Sequence, residues 1–306
     1  MGQFQKIGND LNNKLFMLRE DLIPYSFGGN KARKAKLFFE EIDKGEYDSV
    51  VTYGSSHSNH CRIVANMSIA RNKKCYIISP LEVSKFTFNS KFMEFFGAEI
   101  IQVPVEKVSE TIENLLVELR KNKMNPYFIP GGGHGDIGTE AYVQCYSEIK
   151  KYERENAIFF DYIFFASGTG TTHAGLICGQ FINNDERKII GLSIARKREK
   201  GQKVILDSVY SYLKGKKIAF SEMDIQKITY FIDEYVGLGY GKENEEVLAT
   251  IKYVMKKYGI PLDSTYTGKA YYGMEQYLKK HQIQGKNVLF IHTGGTPLFF
   301  DDLKEF

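Results

Sequence analysis

The chain has 306 residues, 43% of them hydrophobic and 25% charged, which is the composition of a globular protein with one large or two medium domains. Its formal net charge of +4 is small for this length and indicates neither nucleic acid nor a membrane surface as a partner. No apolar run approaches the ~20 residues of a membrane span, and the polar N-terminus lacks the apolar centre of a signal peptide.

The four cysteines are widely spaced and form neither a Cys-x-x-Cys pair nor a His/Cys metal pattern; they are Cys61, Cys75, Cys145 and Cys178. In a chain of this length such spacing is typical of reduced thiols. We therefore expect a cytoplasmic protein without a metal site.

A strand predicted at residues 15–18 is followed by the segment Gly-Gly-Asn-Lys-Ala-Arg-Lys at 28–34, and apolar residues then recur at helical spacing to residue 43. The two glycines allow a sharp turn. A lysine held at such a turn, away from water, can lose its proton near neutral pH and attack a carbonyl group. Lys31 is the candidate, although a lysine-rich helix start taken alone is more often a solvated face.

Strands and helices alternate from residue 49 onwards, which predicts a parallel sheet with helices on both faces. The predicted strands are 49–53, 75–79, 98–103, 126–129, 158–166, 188–194, 227–232 and 288–291. The predicted helices are 59–71, 86–96, 109–123, 138–155, one from 173, 202–215, 243–258 and 267–280. The short basic run at 196–200 is interpreted as a solvated loop.

A glycine- and hydroxyl-rich loop joins the strand at 158–166 to the next helix and consists of Ser167, Gly168, Thr169, Gly170, Thr171 and Thr172. Unpaired backbone N–H groups at a helix N-terminus bind phosphate, and threonine hydroxyls add donors. The loop lacks the lysine of a P-loop and the third glycine of a dinucleotide fingerprint. We predict a phosphate site here, the alternative being an ordinary strand-to-helix turn.

A second loop of this kind, Gly-Ser-Ser-His-Ser-Asn-His at 54–60, also lies between a strand and a helix. Ser58 and Asn59 can cap the helix and face a ligand, and a substrate carboxylate suits this position. An ordinary helix cap remains a serious alternative. His57 and His60 are disfavoured as metal ligands because the sequence places no third ligand beside them.

Two tyrosines beside glycines, Tyr240 and Tyr266, and the segment His-Thr-Gly-Gly at 292–295 complete the candidate site. Tyrosine is abundant in this chain, with twenty residues, so two tyrosines taken alone are usually packing or surface residues. In open parallel sheets, ligands bind beyond the carboxyl ends of the strands. The loops after residues 53, 133, 166 and 291 all follow predicted strands and are expected at that edge.

Five stretches occur in an order that resembles one family; they are 28–31, 58–60, 167–172, 266–269 and 292–295. The family is that of the pyridoxal-phosphate enzymes that comprise D-cysteine desulfhydrase and 1-aminocyclopropane-1-carboxylate deaminase. The resemblance implies an α/β protein with two open, twisted, mainly parallel sheets flanked by helices, the tryptophan-synthase-β-like fold of type II pyridoxal-phosphate enzymes. It also implies a homodimer. Residues 1–36 and 147–306 are expected to form a large cofactor-binding domain, and 37–146 a small α/β domain inserted in it.

The resemblance also implies a role for each matching residue. Lys31 would form the Schiff base with pyridoxal 5'-phosphate and shuttle the proton, Asn59 would bond the ring hydroxyl, and Thr293 would lie at the pyridine nitrogen. The loop 167–172 would hold the phosphate. Substrate contacts are expected from Ser58, Asn59, His60, His57, Tyr240, Tyr266 and Thr267.

The implied reaction is α,β-elimination from a small amino acid with a leaving group at Cβ, D-cysteine being the first candidate and pyruvate, ammonia and sulfide the products. Thr267 stands where the deaminases carry glutamate, which argues against opening of a cyclopropane ring. His57 replaces a glutamine, and His134 and Asp136 replace small or apolar residues around the expected substrate pocket. The alternatives are ring opening of 1-aminocyclopropane-1-carboxylate, a different and more polar amino acid as substrate, a β-replacement synthase and a non-catalytic binding protein.

Overall fold

The structure is a computed structural model that describes residues 2–10, 12–83, 86–237 and 244–306, except for the side chains of Val83 and Glu305. Tyr240, which the sequence analysis placed in the site, lies outside these residues. Of the helices within the described residues, none has the length and apolar character needed to cross a membrane.

The strands of the described residues are β1 (Gln3–Asp10), β2 (Asn13–Arg19), β3 (Ser49–Tyr53), β4 (Lys74–Pro80), β5 (Glu99–Val103), β6 (Pro126–Phe128), β7 (Tyr162–Ser167), β8 (Lys188–Ser193), β9 (Tyr230–Ile232) and β10 (Asn287–His292). The α-helices are α1 (Asn30–Lys44), α2 (Asn59–Ile69), α3 (Phe88–Phe95), α4 (Val108–Lys121), α5 (Asp136–Glu155), α6 (Thr171–Asn183), α7 (Arg198–Gly215), α8 (Glu222–Ile228), α9 (Glu245–Tyr258), α10 (Thr267–Lys280) and α11 (Thr296–Asp302).

A six-stranded sheet has the order β1-β2-β10-β7-β8-β9 and is parallel except for the hairpin of β1 and β2. Its central strands are continuous apolar runs such as Tyr-Ile-Phe-Phe in β7, because helices cover both faces. One face packs a buried cluster against α5, α6 and α7, and the other packs against α9 and α10. The site-bearing loops therefore leave a rigid, fully covered sheet.

A four-stranded parallel sheet has the order β5-β4-β3-β6, and its strands all lie between β2 and β7 in the chain. Residues of α1, α2 and α3 cover one face, and residues of α4 cover the other. The predicted fold of two mainly parallel sheets flanked by helices is thus confirmed. The bounds proposed for the two domains, 1–36 with 147–306 and 37–146, stay a prediction.

Three local predictions differ from the structure. β1 was not predicted, because as an edge strand it is mostly exposed and lacks a strong apolar pattern. The strand expected at 227–232 is the end of α8 followed by the short β9. The basic run at 196–200 is exposed from Lys197 onwards, as expected, but it is not a loop: Arg196 lines a cavity, and the residues from Arg198 onwards belong to α7.

Candidate active site

A cavity of about 390 Å³ opens at the carboxyl ends of β3, β7, β8 and β10. Its volume is in the range of small-molecule and cofactor sites. Most of the predicted site residues line it: Lys31, Ser58, Asn59, His60, Ser167, Gly168, Thr169, Gly170, Thr172, Tyr266 and Thr293. Segments that are far apart in the chain therefore form one site.

Lys31 is the second residue of α1, which directly follows two glycines with positive φ angles of 57° and 96°. A Cβ at Gly28 would lie 2.4 Å from the carbonyl oxygen of Glu20, and one at Gly29 would lie 2.7 Å from that of Thr293. Only glycine permits this close approach. The approach, together with the hydrogen bond from the Asn30 N–H to the Thr293 carbonyl at 2.9 Å, brings the helix start against the end of β10.

The Lys31 amine donates to the carbonyl oxygen of Gly132 at 3.0 Å. Burial lowers the pKa of Lys31 from 10.5 to about 8, because the charged form loses its hydration. A large fraction of this amine is therefore neutral near pH 8, which is the state in which it is a nucleophile or a base.

A second amine, that of Lys34, lies one turn further along α1 and is fully buried. Within the described residues it has no hydrogen-bond partner, and it does not line the cavity. Burial, with a smaller effect of the charge on Lys31, holds the pKa of Lys34 well below its usual range. The two amines are thus chemically similar but differ in their access to the cavity.

The glycine–threonine loop ends in the left-handed residue Gly170 with φ 94°, and α6 begins at Thr171. The hydroxyl of Ser167 is buried and has no hydrogen-bond partner in the described part of the chain. Asn30 donates its side-chain N–H to the Thr172 hydroxyl at 3.1 Å, which ties the lysine helix to this loop. Unpaired donors at a helix start, with an unsatisfied hydroxyl beside them, suit a phosphate group.

The loop after β6 also converges on Lys31. A Cβ built on Gly132 would lie 2.9 Å from the Thr169 methyl carbon and 3.2 Å from the Lys31 amine nitrogen. Any side chain here would fill the space between the lysine and the glycine–threonine loop. The glycines at 131–133 therefore keep the centre of the cavity open.

The start of α2 combines the two roles that the sequence analysis considered for it, a helix cap and a ligand contact. Ser58 caps the helix, since its hydroxyl oxygen accepts from the Cys61 N–H at 3.1 Å, and it also lines the cavity. The Asn59 side-chain oxygen accepts from Arg62 at 2.9 Å and from Asn89 at 3.0 Å. The side-chain nitrogen of Asn59 is therefore the polar atom that can donate to a ligand in the cavity.

His60 is held as a neutral imidazole. The Thr52 hydroxyl donates to the Ile129 carbonyl at 2.8 Å, so its oxygen accepts from Nε2–H of His60 at 2.9 Å. Burial, with the charges of Lys31 and Lys34, keeps the pKa of His60 well below its usual range. The buried Nδ1 atom has no partner among the described residues and is an acceptor at the cavity wall.

Tyr266 is positioned by the buried carboxylate of Asp263. Asp263 accepts from the backbone N–H groups of Thr265 at 3.0 Å and Tyr266 at 2.7 Å. It also accepts from the hydroxyl of Thr267 at 2.7 Å. These bonds fix the turn that precedes α10 and leave Tyr266 on the cavity wall.

Several side chains expected in the site lie elsewhere. The Thr267 hydroxyl is bonded to Asp263 and does not line the cavity, and its contact with substrate stays a prediction. The Thr171 hydroxyl pairs with Nδ1 of His134 at 2.9 Å, outside the cavity lining. His57 is likewise absent from the lining; its ring lies 3.3 Å from the Ser56 hydroxyl.

His134 and Asp136 were expected around the substrate pocket, but neither lines the cavity that contains Lys31. Together with residues of α7 they line a separate cavity of about 260 Å³. Asp136 begins α5 and accepts from the Ser211 hydroxyl at 3.1 Å. The departures from the family pattern at these two positions therefore lie behind the glycine–threonine loop.

The sequence analysis missed Arg196, which lines the cavity with Ile194 and Ala195. One of its terminal nitrogens is buried and has no hydrogen-bond partner among the described residues. The Ser193 hydroxyl donates to the Arg196 carbonyl at 2.7 Å and fixes this turn. A signal was present in the sequence, because Arg196 follows the predicted strand 188–194 at the edge where the other site loops lie.

Comparison with known proteins agrees with this geometry. A family model described as "Pyridoxal-phosphate dependent enzyme" matches residues 3–294. A protein of Yersinia enterocolitica named D-cysteine desulfhydrase is 28% identical over 97% of this chain and 91% of its own length. A protein of Pyrococcus abyssi named putative 1-aminocyclopropane-1-carboxylate deaminase is 30% identical over 96% of this chain and 88% of its own.

Solved structures give the same result. One described as an ACC deaminase homologue superposes with a TM-score of 0.88 at 28% identity and covers 99% of this chain and 92% of its own. Threonine deaminase isoform 2 from Solanum lycopersicum superposes with a TM-score of 0.69 over 99% of this chain and 86% of its own. At 17% identity the second similarity concerns the fold alone.

Proposed function

The chain belongs to the pyridoxal-phosphate dependent enzyme family, and we propose that it catalyses α,β-elimination from a small amino acid with a leaving group at Cβ, with D-cysteine as the first candidate. The observation that carries this proposal is the Lys31 amine, whose pKa of about 8 leaves a substantial neutral fraction near pH 8, at the wall of a cavity that a phosphate-type loop also lines.

The residues present fit pyridoxal phosphate. The buried, unpartnered hydroxyl of Ser167 and the start of α6 would hold the phosphate. The side-chain-free surface at Gly132 leaves room between that loop and the Lys31 amine. Asn59 would donate to the ring oxygen, and Thr293 would lie at the pyridine nitrogen, both being cavity residues.

Lys31 would carry the proton transfers. When bound, pyridoxal phosphate supplies an aldehyde that condenses with amines and a conjugated ring that delocalises an electron pair left at the substrate α-carbon. Lys31, released from the aldehyde by the substrate amine, would remove the α-proton. Because its pKa is near the working pH, the same amine can take the proton and return it.

Thr293 favours elimination over reactions that need a long-lived carbanion. A hydroxyl, unlike a carboxylate, does not force a proton onto the pyridine nitrogen, so electron withdrawal from the α-carbon is weaker. Prompt loss of a Cβ leaving group is then favoured. Ser58, His60 and Tyr266 would contact the substrate, with Ser58 near its carboxylate. The contacts expected from His57 and Thr267 stay predictions, since neither residue lines the cavity.

Mass spectrometry after borohydride reduction of the reconstituted protein tests the cofactor site. We expect the pyridoxyl adduct on Lys31 and none in Lys31→Ala, while Lys36→Ala, on the exposed side of the same helix, keeps the adduct on Lys31. Peptide mapping separates Lys31 from Lys34. An adduct on any other side chain, or none at all, contradicts the proposal.

A substrate panel scored for keto acid, ammonia and sulfide tests the reaction. We expect release from D-cysteine without any added nucleophile. Release only with an added nucleophile indicates a β-replacement synthase, and bound cofactor without turnover of any amino acid indicates a binding protein.

1-Aminocyclopropane-1-carboxylate deamination is the second candidate, because a relative of similar identity carries that name. Thr267 disfavours it, since it stands where those deaminases carry glutamate and its hydroxyl is bonded to Asp263. Release of a keto acid from the cyclopropane substrate, but not from D-cysteine, would favour it over elimination. A homodimer is also proposed, and sedimentation equilibrium measures it.

A further inference from the structure

Arg62 on α2 is a fully buried arginine whose partners are all neutral. One terminal nitrogen donates to the side-chain oxygens of Asn59 at 2.9 Å and Asn89 at 2.7 Å. The other lies 3.5 Å from the Gly28 carbonyl oxygen, and Nε has no partner among the described residues. No carboxylate in the described part of the chain pairs with Arg62.

An unpaired buried cation costs free energy, because the guanidinium loses its hydration without gaining an anion. The other buried arginines of the described residues differ in this respect. Arg187 pairs with Glu153 at 2.7 Å, and Arg33 pairs with Glu20 at 2.5 Å. Burial lowers the pKa of Arg62 only to about 9, so the guanidinium remains charged at neutral pH.

The orientation of Asn59 follows from this contact. Arginine has donors and no acceptor, so the Asn59 atom that faces Arg62 must be the oxygen. Asn89 supports the same orientation, since its side-chain N–H donates to the same oxygen at 3.0 Å and to the His57 carbonyl at 2.9 Å. The Asn59 N–H group is thereby turned away from Arg62 and Asn89 toward the cavity, which Asn59 lines.

We propose that Arg62 is a positioning residue that holds the Asn59 amide with its N–H toward the ring oxygen of the bound cofactor and stabilises the ionised form of that oxygen through this amide. A cation on the oxygen side of an amide polarises it and strengthens its N–H as a donor. Arg62 has no anionic partner among the described residues. The ionised ring oxygen of the ligand would supply this negative charge, with the Asn59 amide between the two groups. This inference rests on the proposed function.

The experiment uses protein reconstituted with pyridoxal phosphate and compares visible absorption spectra with cofactor dissociation constants. In Arg62→Met we expect part of the absorption to move from the long-wavelength band of the ionised ring oxygen to the shorter-wavelength band of the neutral one. We also expect binding to weaken about tenfold, the loss of one charge-assisted hydrogen bond.

A double-mutant cycle separates positioning from a merely structural role. Asn59→Ala should cause the same spectral change, and Arg62→Met should add no further change in that background. A spectral change of equal size with and without Asn59, or none in Arg62→Met, overturns the inference.

Two further variants cover the possibility that Arg62→Met does not fold. Arg62→Lys keeps the charge but lacks the planar fork, so it should give a smaller change in the same direction, again abolished by Asn59→Ala. Arg187→Met is the matched control. It should lower the unfolding free energy of the cofactor-free protein and leave the spectrum of the bound cofactor unchanged.

The wild-type protein distinguishes the two failures. Absence of a bound-cofactor spectrum, or trapping of the cofactor away from Lys31, refutes the proposed function and with it this inference. A normal wild-type spectrum that the Arg62 variants do not alter refutes the inference alone.

Discussion

Lys31 and Lys34 are two buried amines on one helix, and their surroundings separate them. Lys31 donates to the Gly132 carbonyl and lines the cavity, whereas the Lys34 amine has no hydrogen-bond partner among the described residues and no place in the lining. Both pKa values are lowered by burial, so a low pKa alone does not identify the reactive lysine. Access to the cavity identifies it, because Lys31 lines the cavity and Lys34 does not.

Acylation of the cofactor-free protein should therefore depend on pH at Lys31. The neutral amine is the reactive form, and its pKa of about 8 predicts labelling that rises steeply through about pH 8 instead of near 10.5. Quantitative mass spectrometry of the Lys31 peptide measures this, and Lys31→Met removes the signal. A rise only near the ordinary lysine range would contradict the burial argument.

Arg196 should interact with the phosphate of the cofactor. It joins the glycine–threonine loop at the cavity wall through Ile194, whose side chain lies 3.5 Å from a Cβ built on Gly168. We expect Arg196→Gln to weaken pyridoxal-phosphate binding about tenfold and to leave the binding of pyridoxal, which lacks the phosphate, unchanged. Fluorescence titration measures both constants, and the neighbouring exposed Lys197→Gln is the control. An equal loss for both ligands would refute the assignment.

The candidate site was only partly predictable from sequence, for physical reasons that differ between residues. Lys31 and the glycine–threonine loop were recognisable because they join predicted strands and helices with unusual backbone freedom. Arg196 was missed because a basic run resembles a solvated surface. The bond of the Thr267 hydroxyl to Asp263 was not predictable, because Asp263 lies in a segment without periodicity and residue types alone do not reveal a buried helix cap.

At the scale of single elements, α10 combines a functional N-terminus with an apolar face. The turn fixed by Asp263 begins the helix, and Ala270, Tyr271 and Met274 pack into the core below the six-stranded sheet. This helix was predicted with its correct bounds at 267–280 because its apolar positions recur at helical spacing. The short α11 was not predicted, since about two turns carry too little pattern.

Glu275 on α10 should make stability depend on pH. Burial raises its pKa from 4.5 to about 6, so the folded state binds the proton more tightly than the unfolded state. Its favourable contribution is full below about pH 4.5 and is lost as the pH rises through about 6. After allowance for its partial exposure, Glu275→Gln should raise the unfolding free energy at pH 8 by about 1 kcal/mol, and by nothing at pH 4.

Denaturant unfolding at several pH values measures the effect of Glu275→Gln. The exposed Glu113→Gln on α4 is the control and should change the free energy by less than about 0.5 kcal/mol at either pH. Equal stabilisation by Glu275→Gln at acid and alkaline pH would show that charge is not the cause.

At the scale of the whole molecule, one buried network joins the two points where the chain enters and leaves the four-stranded sheet. Arg33 on α1, before that sheet, contacts Glu20 at 2.5 Å and Glu148 on α5, after it, at 2.9 Å. Tyr142 on α5 donates to the other carboxylate oxygen of Glu20. The Glu20 carbonyl also accepts from the Gly29 N–H at 2.7 Å, so the network reaches the turn that precedes Lys31.

Arg33→Met should lower the unfolding free energy by about 3 to 5 kcal/mol, because it leaves the carboxylate of Glu20 buried without its cation. Adding Glu20→Gln should recover a large part of this loss, since the uncompensated charge is then gone. Denaturant unfolding of the cofactor-free protein measures both changes. Arg71→Met, which breaks a more exposed pair with Asp43, is the matched control and should cost no more than about 1 kcal/mol. If the double variant is as unstable as Arg33→Met, the cost comes from lost packing of the arginine and not from the stranded charge.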